Sequence, residues 1–247
     1  MTDVEPYPLT LDDLDWVTGL AAARRARLTP FAPRFWNSST DARAVHAEFL
    51  GRLIGLPDVM AVRSEHGFLF GLPRRGQLLV DDMLVDDMVL TDDAHWTDEG
   101  TALLRHAVRA TYPAALRFVC PVPERPRADA ARAVGLTVAE SWWHRDLDRQ
   151  PSAAAAELGE DCRLVPAPPV YDPGGPVLLV SAVSDASALT LAEQAAAALG
   201  ASVSVVSQDP ADDALATLLT KAGYRQTTDY FTTPAQARRF RGNAADD

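Results

Sequence analysis

Two stretches of this chain carry the same order of elements at the same spacing. LLVDDMLV (78–85) and VLLVSAV (177–183) are each followed by a helical stretch, a second apolar strand (LRFVCPV at 116–122, ASVSVVS at 201–207), a short helix and a glycine. Seven residues separate Gly135 from Trp142 and Gly223 from Tyr230, and another aromatic follows each, Trp143 and Phe231. A repeat of this kind predicts a sheet assembled from two related halves. The division it suggests is a complete unit over 1–148, a linker over 149–161 (RQPSAAAAELGED), a shortened second unit over 162–233 and a disordered tail over 234–247.

The first half reads as a mixed α/β chain. Residues 8–28 suggest a short strand and then a helix started by Thr10, Asp12 and Asp13, whose acids suit a helix N-terminus. Val45, Phe49, Leu50 and Leu53 recur at spacings of three and four, the mark of an amphipathic helix over 41–55. Apolar runs at 59–63, 68–72 and 77–86, joined by short Gly-containing turns, predict an antiparallel meander. A helix over the WTDEGTALLRHAVRATY stretch, a covered strand at 116–122, a small helix at 127–134 and a strand or strand pair at 137–147 complete it.

Composition excludes several classes. At 247 residues the chain buries a large core without staples, and Cys120 and Cys162 stand alone, so neither a disulfide framework nor a zinc site is indicated and a reducing cytoplasm fits. No run approaches the ~18 apolar residues that span a bilayer, and the acidic start lacks the basic region of a secretory signal. A net charge of −11 opposes nucleic-acid binding and favours a cationic or neutral partner. No GxGxxG, Walker loop, GxSxG or HExxH is present, and the five histidines show no metal-ligand spacing.

The chemistry-bearing segment is V-D-D-M-L-V at 80–85. Alternation along a strand sends Asp81 and Asp82 to opposite faces, so in a covered sheet one carboxylate needs a polar cleft or a cationic partner. This segment resembles the fourth-strand pattern I/L-E-D-x-x-V of the GCN5-related N-acetyltransferase (GNAT) family. The order strand, two helices, three-stranded meander, helix, strand, helix, strand over the first half is similar to a whole domain of that family. The resemblance implies a GNAT fold, a mixed, mostly antiparallel sheet flanked by helices, followed by a second partial GNAT-like unit. It implies an acyl-CoA-dependent N-acyltransferase that moves an acetyl group from acetyl-CoA to an amine of a small molecule or peptide. In that scheme Asp81 is the general base, with Asp82 second. Leu84, Val85, Trp96, Gly100, Thr101, Ala102 and Arg105 hold the coenzyme, and Phe35, Trp36, Trp142 and Trp143 border the acceptor. No metal is implied. As neighbours on a strand, Trp142 and Trp143 face opposite ways.

The sequence departs from the family at two places. Its T-D-E-G-T-A (97–102) lacks the leading Gln/Arg of Q/R-x-x-G-x-G/A, so Asp98 and Glu99 stand where the family places a diphosphate. Ala131 and Leu219 occupy the positions of the family's acid tyrosine. These departures keep a second class open, a catalytically inactive GNAT-fold binding or regulatory protein.

Overall fold

The computed structural model describes residues 4–74, 76–80, 86–112, 114–148 and 158–234. The strands are β1 (Tyr7–Pro8), β2 (Met60–Arg63), β3 (Gly67–Arg74), β4 (Gln77–Val80), β5 (Met88–Leu90), β6 (Ala115–Pro121), β7 (Thr137–Asp146), β8 (Cys162–Val165), β9 (Val177–Val180), β10 (Val203–Gln208) and β11 (Arg225–Thr232). The helices are α1 (Leu14–Leu28), α2 (Ala42–Leu53), α3 (Glu99–Thr111), α4 (Arg125–Ala133), α5 (Ala186–Ala198) and α6 (Asp213–Lys221). All the strands join one mixed sheet in the order β1-β2-β3-β4-β6-β11-β7-β10-β9-β8, with β5 on β3. Among the described residues no helix is long and apolar enough to cross a membrane.

The last strand of the chain lies in the middle of this sheet. β11 pairs antiparallel with β6 on one side and with β7 on the other, while β7 pairs onward with β10. The register is symmetric: Thr228 faces Trp142 as Tyr230 faces Glu140, and Gln226 faces Trp143 as Phe231 faces Val138. Each pair maps onto the other by a shift of 88 residues, the separation of Gly135 and Gly223. The same shift carries α4 onto α6 and the β6–β11 register onto the β10–β7 register. Gly135 and Gly223 both take positive φ (87° and 83°) after these helices, a turn only glycine enters freely.

Helices cover the sheet by face. α3 and α4 pack Leu103, Leu104, Ala130 and Ala131 against Leu69, Val80, Met88, Phe118 and Phe231. On the same face, α5 and α6 cover Trp143, Leu178, Val180 and Val206. α1 and α2 lie on the opposite face over Phe68, Phe70 and Val89. Beside them, loop residues 29–41 dock on 168–172, bridged at Ser38 and Tyr171, and cover Val119, Val203, Val205 and Tyr230.

The expected third meander strand is interrupted. β4 ends at Val80, residues 81–85 lie outside the described residues, and Asp86 and Asp87 precede β5, which continues the pairing with β3. Asp86 has φ 61°, so the chain is no longer extended there. Residues 137–146 form one long strand. The linker and tail expectations fall largely on 149–157 and 235–247, outside the described residues.

Candidate coenzyme cleft

β4 and β6 run parallel until Val80 meets Phe118. Beyond that point β5 pairs with β3 while β6 keeps β11 on its other edge, and among the described residues no ladder joins Met88 to Val119. Diverging strands leave carbonyls that must find donors in the interior. Here Arg127 of α4 supplies both. Its Nη1 donates to Met88 O at 2.7 Å and its Nε to Val119 O at 3.0 Å. The guanidinium lies 4.4 Å from the Phe118 ring centre and 5.2 Å from that of Trp96, and its residue is 0% exposed.

An ionic chain extends from this plug toward the α1 face. Glu124 Oε2 is 3.7 Å from Arg127 Nε and accepts from Arg24 Nη2 at 2.8 Å. Arg24 Nη1 donates to Asp86 Oδ1 at 2.8 Å, and Arg25 Nη1 to Asp86 Oδ2 at 2.7 Å. Burial pushes the Glu124 carboxyl up, but the charge and hydrogen bonds of Arg24, with Arg127 behind them, outweigh it and hold it below the usual range. Buried charges persist only when compensated in this way. None of these five residues carries a motif. The signal was periodicity: Arg24 falls in the apolar rhythm Val17, Ala21, Leu28, and Arg127 in that of Ala130 and Ala131.

The sequence-predicted residues are distributed as follows. Asp81, Asp82, Leu84 and Val85 lie outside the described residues. Gly100 is in contact with the buried Trp96, and a Cβ there would sit 2.4 Å from the indole. Thr101, Ala102 and Arg105 line a groove of about 570 Å³ between α3 and α4, together with Asp93, Asp98 and Asp129. Asp129 is paired with Arg132 at 2.9 Å, so Asp93 and Asp98 share the groove with one guanidinium. Glu99 turns away from the groove and accepts the His66 backbone N–H at 2.8 Å. The largest groove described, about 650 Å³, lies over α1 and α2 on the opposite face.

Phe35 and Trp36 are buried in the loop-covered core, 8% and 0% exposed. Trp142 and Trp143 do point to opposite faces. Trp143 packs under α5 and α6 and donates to Gln208 Oε1 at 2.7 Å, whereas Trp142 lies against Tyr230, the ring centres 4.8 Å apart and the planes tilted by 46°, and donates to Glu140 Oε1. His144, two residues on, shares the face of Trp142, lies 4.2 Å from the Phe35 ring and has no partner for either ring nitrogen. Burial, with Arg225 nearby, lowers it to about 3. In the second half Asp185 accepts from the N–H groups of Ser187 and Ala188, occupying the first donors of α5 with its own carboxylate.

Coenzyme A brings a diphosphate and a pantetheine arm that pairs with strand backbone. The described residues do not fit it as they stand: acids rim the α3 groove, Asp185 caps α5, and Arg127 takes the carbonyls between the diverging strands.

No family model and no curated protein sequence matches this chain. Solved structures do. A GCN5-related N-acetyltransferase from Sphaerobacter thermophilus superposes with a TM-score of 0.51 at 14% identity, covering 94% of this chain and 96% of that one. A candidate acetyltransferase from Pyrococcus horikoshii gives 0.53 at 9% identity over 94% and 89%. Another from Thermoplasma acidophilum gives 0.53 at 10% identity over 93% and 98%. At such identities the likeness establishes the architecture, and the chain has the GNAT fold.

Proposed function

We propose that this chain is a GNAT-fold binding protein whose coenzyme cleft is closed by its own side chains. The observation that carries this reading is Arg127, which donates to Met88 O and Val119 O across the strand divergence. Opening that gap would strip a buried guanidinium of two carbonyls, Glu124 and two aromatic faces, and breaking such a buried set costs about 3–5 kcal/mol. The partner class that fits the acidic α3–α4 groove is a cationic small molecule or peptide amine, since Asp93 and Asp98 outnumber Arg105 there while Asp129 is held by Arg132. We also read the halves as a duplicated unit, 1–148 and 162–233 joined by 149–161, on the constant shift of 88 residues. A reducing cytoplasm suits the unpaired Cys120 and Cys162, and burial pushes the Cys120 thiol up to about 12.

A second reading is favoured by the open groove that Thr101, Ala102 and Arg105 line. It is an acyl-CoA-dependent N-acyltransferase that moves an acetyl group from acetyl-CoA to an amine, with Asp81 as base and Asp82 second. It requires Arg127 to leave the gap. Calorimetric titration with acetyl-CoA and with CoA separates the two. The closed cleft gives no heat and no thermal stabilisation at millimolar ligand in the native protein. Micromolar binding, or thioester loss with an amine panel, overturns it in favour of the transferase.

A further inference from the structure

We propose that His66, His95 and Glu99 form a binding site for a divalent transition-metal ion of the class of Zn²⁺, Co²⁺ or Ni²⁺. The three residues come from separate elements: the β2–β3 turn, the 3₁₀ turn at 93–96 and the first turn of α3. Their ligand atoms all lie within 4.8 Å of one another. His66 Nδ1 is 2.6 Å and His95 Nδ1 3.5 Å from the same oxygen, Glu99 Oε1. The other oxygen is held by the His66 backbone N–H at 2.8 Å, which fixes the carboxylate against the turn.

The arrangement without an ion leaves one ring short of a partner. The two imidazoles stack with centroids 3.9 Å apart and planes 6° from parallel. A single carboxylate oxygen at 2.6 Å serves His66 far better than His95 at 3.5 Å. A divalent ion relieves this, because it takes one donor atom from each of the three residues, the ring proton of each neutral imidazole standing on the nitrogen that does not bind the ion.

Two imidazoles and a carboxylate match borderline ions rather than Ca²⁺ or Mg²⁺, which prefer all-oxygen sets. Parallel rings cannot aim both lone pairs at one point, so one imidazole turns about its Cβ–Cγ bond as the ion enters. Both have room to do so, with side chains 36% and 30% exposed. The same exposure leaves the remaining coordination positions to water. The i, i+4 step from His95 to Glu99 is visible in the sequence, but His66 is added only by the fold.

The test is titration of the chelator-treated, desalted full chain with Zn²⁺ and with Co²⁺ near neutral pH, by calorimetry, thermal shift and visible absorption. The expected result is one ion per chain, a rise in Tm and a Co²⁺ ligand-field band. His66→Ala and His95→Ala should each weaken binding roughly tenfold or more, with His106→Ala unchanged. His66→Gln and His95→Gln, which retain polar contacts, guard against a variant that fails to fold. Absence of a stoichiometric heat, or an isotherm indifferent to both histidines, overturns the site.

Discussion

Ser141 and Asp229 occupy equivalent positions of the two halves and face each other across the β7–β11 ladder, Ser141 Oγ donating to Asp229 Oδ1 at 2.7 Å. They mark the local two-fold of the sheet. On one side of this pair the final strand of the second half sits beside β6, and on the other the final strand of the first half sits beside β10.

That exchange makes the halves dependent on one another. A chain ended at Asp148 loses β11 and β10 and exposes both edges of β7 and the free edge of β6, an open template for aggregation. The expected outcome is insoluble material from residues 1–148 alone, and soluble protein when 1–148 and 158–247 are co-expressed. A monomeric, cooperatively melting 1–148 fragment would contradict the exchange.

Replacing Arg127 by Met keeps apolar volume beside Phe118 and Trp96 but leaves Met88 O and Val119 O without their donor. The expected loss is about 3 kcal/mol or more in urea denaturation, since each stranded buried acceptor costs about 1–3 kcal/mol. A loss below about 1 kcal/mol would mean water already serves those carbonyls. Arg127→Ala, which empties the gap, should also raise affinity for CoA relative to the native chain.

Asp86 combines a positive φ with two buried arginine partners. Asp86→Ala removes the buried carboxylate that Arg24 and Arg25 share and should cost about 3–5 kcal/mol. Asp86→Asn keeps a residue that tolerates the left-handed region, isolating the charge. If the two variants melt together, the charge carries the loss; if Asn restores native stability, the backbone conformation does.

His144 is neutral when folded, with a value near 3 against the ordinary 6.5. The unfolded chain therefore binds the extra proton first as pH falls. Stability contributed by the neutral ring is intact above about pH 6.5 and declines by about 1.4 kcal/mol per pH unit toward pH 3. Glu124, whose value is lowered, adds a loss in the same direction at the acid end of this range. His144→Phe, packed beside Phe35, should flatten the Tm profile between about pH 4 and 6.5; a profile parallel to the native one would exclude His144 as its source.

Gly100→Ala drives a methyl into the Trp96 ring and should cost about 1–3 kcal/mol by overpacking. Trp96→Leu in the same chain should recover part of it, measured by thermal melting.

The fold was readable because it rests on periodicity. The α2 face, the β6 run and the twin intervals after Gly135 and Gly223 all appear in the chain as spacings, and each found its element. The opposed faces of Trp142 and Trp143 followed from strand alternation in the same way. The exchange of β7 and β11 did not, because either strand could pair with its own half by local patterning. The cleft was legible only in part. Asp98 and Glu99 announced an unusual helix start, but Glu99's turn toward His66 is a long-range contact. Arg24 and Arg127 stand in apolar rhythms, but arginines in helices are usually surface charges, and spacing alone does not tell the two apart.

The position of β11 also sets a timetable. Strands β6 and β7 leave the ribosome first, and the strand between them, Arg225–Thr232, follows only after β8, β9 and β10. At about 5–20 residues per second, several seconds to more than ten pass in which the centre of the sheet exists only as two edges in waiting. The centre of the sheet closes only once β11 has emerged, so the native topology depends on whatever shields those edges until then.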